Sequence, residues 1–208
     1  MANPTAYRKE LREKILKTAM AEFMQRGLKA VKMDDIAKKM VMSKRTLYEI
    51  FADKEELLYE CVKYGSEEEL NEIHRTASRE GADVVDILID FIHIRLKSMS
   101  SVNPKFYAEI MRYKKVADFL KTNHDSRRKE GNAFIKRGQR EGYIRKDVDF
   151  ELLGAIFDRT IQAVLDDELF NEYSLKRIFR NIIFVTIRGI STQKGIEKMD
   201  RLLEKNPL

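Results

Sequence analysis

Five residues within one short stretch have the chemistry of nucleic-acid recognition: Ser43, Lys44, Arg45, Thr46 and Tyr48. On a helix that begins after Ser43, Leu47 and Phe51 lie four residues apart and face inward, which leaves two cations, a hydroxyl and a phenol on the other sides. An arginine offers two parallel donors to a guanine edge, so Arg45 can read a base. Lys44 and Tyr48 suit phosphate oxygens, Thr46 suits a phosphate or a thymine methyl, and the helix N-terminus adds backbone donors. The competing reading is a solvated basic face with Tyr48 as a semi-buried aromatic.

Other chemistry finds little support. His74, His93 and His124 are far apart and lack carboxylate or thiolate partners at ligand spacing, so they read as surface or core residues rather than metal ligands. Cys61 is the one cysteine and lies in an apolar run with Leu57, Leu58 and Val62, which makes it a buried small hydrophobe. The sequence has no phosphate-cradling glycine loop and no Gly-x-Ser-x-Gly nucleophile motif. The expectation is a protein that is not an enzyme, with no catalytic residues, no metal and no cofactor.

The charge distribution agrees with a recognition role. Net charge is +6 over 208 residues, but residues 1–54 hold 13 Lys and Arg against 7 Asp and Glu, whereas residues 55–208 hold 27 of each. A basic segment attracts nucleic acid, anionic membrane or acidic partners alike, so its arrangement has to decide.

That arrangement is helical. Charged residues make up 36% of the chain while Gly and Pro number only 9 and 3, which favours an all-α protein. Leu11, Ile15, Leu16, Ala19, Met20 and Phe23 share one helical face, and Gly27 is a natural stop. Met33, Ile36, Ala37 and Met40 mark a second helix, with Asp34 and Asp35 at the positive end of its dipole. Ser43 then caps a third helix, Lys44 to Phe51. Asp53 starts a fourth that runs to about Glu80, with Glu56 three residues on as a capping box and Lys54 in the exposed first turn. Two short helices with a tight joint between them place side chains in a major groove.

Downstream, apolar spacing and the breaks at Gly81, Asn103-Pro104, Asn123, Gly142 and Asn171 predict helices over 82–101, 104–122, 125–142, 148–170, 174–191 and 194–205. No run approaches the roughly 18 apolar residues of a membrane span, and Met1 to Thr5 lacks a signal-peptide layout, so a cytoplasmic protein without membrane contact is expected.

The stretch Ile15 to Leu58 resembles the DNA-binding domain of the TetR family of bacterial regulators. The resemblance rests on Ala21-Glu22-Phe23, Gly27, Met33-Asp34-Asp35-Ile36-Ala37, Ser43-Lys44-Arg45-Thr46-Leu47-Tyr48, Phe51 and Asp53-Lys54-Glu55-Glu56-Leu57-Leu58. It implies that the helix from Ser43 is the recognition helix, that Thr46 and Tyr48 contact DNA backbone, that Lys54 holds a phosphate, and that Lys44 and Arg45 set sequence preference. Three positions depart from the family pattern. Val41 stands where Gly is usual, Arg45 where a small residue is frequent, and Lys32 where Ser or Thr is usual. A β-branched Val41 predicts a turn that does not require positive φ.

In the body, the helices over 148–170 and 174–191 carry Leu152, Ile156, Ile161, Val164, Ile178, Ile182, Ile183 and Val185 among the small residues Gly154, Ala155, Ala163 and Gly189. These either fill the chain's own core or pair with a second copy, and the resemblance favours a homodimer through these two helices. It also implies a pocket in the body, for which Phe91, Met99, Phe106, Tyr107, Met111, Phe134 and Phe157 are candidates that equally suit an ordinary core. Such an inventory fits an apolar or aromatic small-molecule effector.

The sequence is therefore read as an all-α chain. Residues 1–54 form an N-terminal three-helix helix-turn-helix DNA-binding domain, and residues 55–208 form a C-terminal helical bundle for dimerisation and effector binding. The expected function is sequence-specific transcriptional regulation through double-stranded DNA. The expected form is a homodimeric repressor released from a near-palindromic operator by a small molecule. The site expected to touch DNA is Ser43, Lys44, Arg45, Thr46, Tyr48 and Lys54. The alternative is a ligand- or protein-binding helical dimer with nonspecific or vestigial DNA binding.

Overall fold

The computed structural model describes residues 4–99 and 102–207, with side chains at all of these except residues 4, 5, 98, 99, 108, 124–126 and 128. The helices are α1 Pro4–Arg26, α2 Met33–Lys39, α3 Lys44–Ile50, α4 Lys54–Ala77, α5 Val84–Met99, α6 Pro104–Ile110, α7 Lys114–Glu141, α8 Phe150–Asp166, α9 Leu175–Ile190 and α10 Gln193–Lys205. A single 3-10 turn, Leu169–Asn171, separates α8 from α9. Among the described residues there is no strand, only an isolated bridge between Ile144 and Ser191. The all-α expectation is met.

Local chemistry sets most boundaries. α1 ends at Gly27, whose φ of +85° suits a residue without Cβ and whose N–H donates to the Phe23 carbonyl at 3.0 Å. Asn103 caps α6, accepting from the Lys105 N–H at 3.0 Å, and Pro104 takes the first helical position, where no N–H is needed. At α4, Asp53 accepts from the Glu56 N–H at 2.8 Å. Glu56 reaches back to the Ala52 N–H at 2.6 Å instead of that of Asp53, so the capping box closes one residue earlier than its usual form.

Two downstream boundaries differ from the sequence reading. Asn123 does not break a helix: α7 runs through it, because an interior Asn costs only a few tenths of a kcal/mol relative to better helix formers. The break falls instead at Met111–Tyr113, where no Gly or Pro announces it. There the N–H groups of Arg112 and Tyr113 bond three residues back, and the chain turns so that Ile110 and Val116 both enter one core. The helix predicted over 148–170 ends at Asp166, since Glu168 adopts a left-handed φ of +50° and the turn that follows buries Phe170.

By compactness the chain forms two units, residues 1–70 with 101–122 and residues 71–100 with 123–208. The core of the first is built on Ile15, Phe23, Ile36, Leu47, Phe51 and Leu58, all nearly inaccessible, and also includes Val102, Phe106, Ile110 and Val116 from α6 and its flanks. The core of the second gathers Val84, Val85, Ile89, Ile92 and Leu96 with Ile187 of α9 and Met199 of α10. In that unit α10 is held by Lys198, which pairs with Asp83 and, at 2.7 Å, with Asp86.

Candidate nucleic-acid interface

Short helices have little stability of their own, so α2 and α3 depend on packing and caps to hold their outer faces in place. Ile36 and Leu47 anchor them in the core of the first unit. Ser43 caps α3: its Oγ accepts from the Thr46 N–H at 3.0 Å and also bonds Thr46 Oγ1 at 2.8 Å. The Ser43 and Thr46 hydroxyls are therefore bound to each other at the helix start, where backbone N–H groups face outward.

The turn between α2 and α3 overturns one expectation. Val41 adopts φ +53°, the left-handed region, despite its branched Cβ, and its side chain is 94% exposed. The tight joint demands this dihedral because Met42 N–H must reach the Ala37 carbonyl at 3.0 Å to close it. The fold imposes a conformation the residue disfavours, at a cost of about 1–2 kcal/mol.

At the start of α2, Lys32 has the N-cap position but contributes no side-chain cap. Asp35 compensates, accepting from the Lys32 N–H at 3.0 Å, and this bond holds its carboxyl below the usual range. Behind this surface lies a buried carboxylate, Glu22 of α1, paired with Lys39 and with Arg26 at 3.0 Å. The hydrogen bonds from Lys39 and Arg26 hold the Glu22 pKa below 4.5 against the effect of burial. This cluster ties α2 to α1.

The structure brings Lys44, Arg45, Thr46 and Tyr48 onto one short helix, with Lys44, Arg45 and Tyr48 exposed. Lys44 pairs with Asp34 in the first turn of α2, and Arg45 donates its Nε–H to Glu49 at 2.9 Å. The sequence reading gave Asp34 only a place at the positive end of the α2 dipole and did not single out Glu49, although the i, i+4 spacing of Arg45 and Glu49 was visible. Lys54 is placed differently from the α3 residues. It is half-buried, donates to the Leu28 carbonyl, lies 5.9 Å from the Phe23 ring centre, and has its pKa lowered by desolvation. It bridges the start of α4 to the end of α1.

The connection from α1 to α2 is braced within the same unit: the Lys29 N–H donates to Glu109 of α6 at 3.0 Å, and the Asn103 N–H to the Met24 carbonyl at 2.6 Å. Cys61 is buried, its Sγ 3.4 Å from the Leu16 carbonyl, and burial pushes its thiol pKa up. His74 and His93 stand on α4 and α5, and the His124 side chain lies outside the described residues. Among the described residues no group of three or more His, Cys, Asp or Glu side chains is placed to hold a metal ion.

The pocket candidates separate. Phe91 and Phe157 line a cleft in the second unit, together with Phe150, Leu153, Ile135 and Gly154, which the sequence reading did not assign to it. Phe106 is buried in the core of the first unit with Tyr107 edge-on at 5.5 Å, Phe134 packs on the core of the second, and Met111 is about half exposed. The Met99 side chain lies outside the described residues.

Residues 15–61 match the model of the family of bacterial regulatory proteins called tetR. Solved structures share the fold along most of the chain. A transcriptional regulator from Saccharomonospora viridis in complex with choline is 21% identical, with 89% of this chain and 100% of that one covered at a TM-score of 0.70. A TetR-family transcriptional regulator from Agrobacterium tumefaciens is 16% identical, with 88% and 99% covered at 0.69. The ketosteroid transcriptional regulator KstR2 of Mycobacterium tuberculosis is 19% identical, with 88% and 95% covered at 0.58. Among curated protein sequences none matches.

Proposed function

We propose that the chain is a DNA-binding transcriptional regulator and not an enzyme, a reading supported by the match of residues 15–61 to the model of the tetR family of bacterial regulatory proteins and by the fold shared with solved regulators. The observation that carries the reading is the outer face of α3. Lys44, Arg45 and Tyr48 stand exposed on a helix capped by Ser43 and anchored behind by Leu47. In the reading, Arg45 addresses a base edge. Ser43, Lys44, Thr46, Tyr48 and Lys54 hold phosphates, Lys54 with the ammonium hydrogens not given to Leu28.

The working form we propose is a homodimer joined through α8 and α9. Leu152 and Ile156 on α8 are about half exposed and Val185 on α9 is 70% exposed, a costly apolar surface for a chain on its own. Gly189 on the same side of α9 has nothing within 4 Å of where a Cβ would stand, leaving room for a partner helix to approach. Two heads related by a twofold axis read two half-sites, so the operator is a near-palindrome. Residues 1–54 do the reading, while residues 55–208 dimerise and bind an effector. That functional division is narrower at the head than the first compact unit, because α4 and α6 supply part of the head's packing.

The protein acts in the cytoplasm as a repressor, and a small molecule releases it by binding better to the form whose heads do not fit the operator. The neighbour solved with choline is a regulator that holds a small organic molecule, which supports an effector here. No helix among the described residues is long and apolar enough to cross a membrane.

The experiment is recovery and sequencing of source-genome fragments bound by the purified protein, with an Arg45→Ala/Tyr48→Ala variant beside it. An enriched near-palindrome that the variant no longer selects, while remaining a folded dimer, supports the reading. Equal selection by both proteins overturns the role given to α3.

A further inference from the structure

The face of α1 that builds the core of the first unit is one helical stripe. Ile15, Leu16, Ala19 and Phe23 lie on it and are nearly inaccessible. Followed towards the start of the helix in steps of four from Leu16, the same stripe reaches Arg12 and then Arg8, with Lys9 adjoining. The inward face of α1 therefore turns from apolar to cationic where the core ends. Leu11 is the first residue to pack on that core, and the side chains of Ala6 to Glu10 are all exposed. Residues 4–10 thus form an overhang of about 10 Å, at about 1.5 Å per residue, ahead of the segment that matches the family model.

Arg12 fixes where the overhang lies. Its guanidinium stands 5.3 Å from the centre of the Phe51 ring and pairs with Glu60 of α4 at 2.5 Å. Phe51 is the residue that ends α3. Arg8 and Lys9, one turn further out, accordingly extend past the C-terminal end of the helix whose N-terminal end carries Lys44 and Arg45. Glu10 is taken by Lys14 at 3.0 Å, and neither Arg8 nor Lys9 has an ion-pair partner among the described residues. Arg8 and Arg12 are moreover like charges at i, i+4, an arrangement that weakens a helix until an anion meets it.

No cavity wall or buried polar group surrounds Arg8 and Lys9 to enclose a small anion. A duplex docked on α3 brings its own anions, because a helix in the major groove is bordered by phosphate strands and the first helix of such a head crosses the backbone. We propose that Arg8 and Lys9 grip the sugar-phosphate backbone beside the groove that α3 enters, extending the DNA contact surface to the overhang of α1. The inference rests on the DNA-binding reading. Backbone contacts carry no base information, so this grip adds affinity and salt dependence and leaves sequence preference to α3.

The test is fluorescence anisotropy of a labelled duplex, of the sequence recovered from retained genomic fragments, titrated with full-length protein at several salt concentrations. Each phosphate contact contributes about 0.9 to the slope of log affinity against log salt. The Arg8→Ala/Lys9→Ala variant should lower that slope by about 2 and bind at least about tenfold more weakly at about 0.1 M salt. Its ratio of affinities for the selected and a scrambled duplex should stay unchanged, and so should its thermal midpoint, since both side chains are exposed. Lys129→Ala/Lys136→Ala removes the same charge from exposed positions of the second unit and should leave the slope in place. An unaltered slope in Arg8→Ala/Lys9→Ala, or an equal fall in the control, overturns the grip while the role of α3 stands. Absence of DNA binding by the unmodified protein overturns the DNA-binding reading and the grip together.

Discussion

Arg45 donates its Nε–H to Glu49 Oε1 at 2.9 Å, one turn along α3, so the cation proposed to address a base edge is paired with a carboxylate of its own helix. Both side chains are well exposed, and the pair contributes little to stability. In the proposed role the pair favours selectivity: a base edge would have to give Arg45 better geometry than Glu49 does, and Glu49 would repel a misplaced phosphate. Glu49→Gln should strengthen binding to scrambled DNA severalfold more than binding to the selected site, lowering discrimination. Arg45→Ala should cost about 1–3 kcal/mol on the selected site alone. Competition binding at two salt concentrations measures both.

The strained joint at Val41 predicts a gain of stability. Val41→Gly removes the left-handed penalty at φ +53° and loses a side chain that is already 94% exposed, while the added unfolded-state freedom of glycine offsets part of the gain. The expected net effect is about 1 kcal/mol of stabilisation in urea unfolding. Destabilisation by the substitution would show that Val41 makes a contribution its exposure conceals.

Glu22 gives the head an acid limit. Its pKa is held below the ordinary 4.5 by hydrogen bonds from Lys39 and Arg26, so the native state binds the proton less readily than the unfolded chain. Its stabilisation is fully present above pH 4.5 and is lost as the pH falls from there through the lowered native value. Glu22→Gln should destabilise the protein at neutral pH, and flatten the pH dependence of unfolding in that acid window. Chemical denaturation from pH 7 to about pH 3 would reveal an unaltered slope if other carboxylates dominate.

The proposed dimer is tested at its most exposed apolar points. Leu152→Glu or Val185→Glu places a charge where two copies would meet, and burying it unpaired costs several kcal/mol. Sedimentation should show monomers at concentrations where the unmodified protein is dimeric, with the helical content unchanged. Selection of near-palindromic DNA should weaken in parallel.

Much of the site could be read along the chain because its determinants are local. The cap at Ser43, the stop at Gly27, the inward pair Leu47 and Phe51, and the basic excess of residues 1–54 each follow from residue type at helical spacing. Hence the helix-turn-helix and the candidate residues Lys44, Arg45, Thr46 and Tyr48 emerged from sequence with their positions on α3.

Other features depended on contacts between residues distant along the chain. Core packing of Ile110 and Val116 placed the break at Met111–Tyr113, whereas α7 runs through Asn123 at little helical cost. Closure of the α2–α3 joint forced Val41 into a dihedral that its side chain alone argues against. Lys54 met the Leu28 carbonyl across 26 residues, which no spacing rule reveals. Periodicity made Phe91, Phe106, Phe134 and Phe157 equivalent, yet the fold put Phe106 and Phe134 against the cores and Phe91 and Phe157 in the cleft. Which faces are apolar was legible along the chain, because that depends on residue type and helical repeat. Tertiary structure alone decided what each face meets, because burial is a property of pairs of elements.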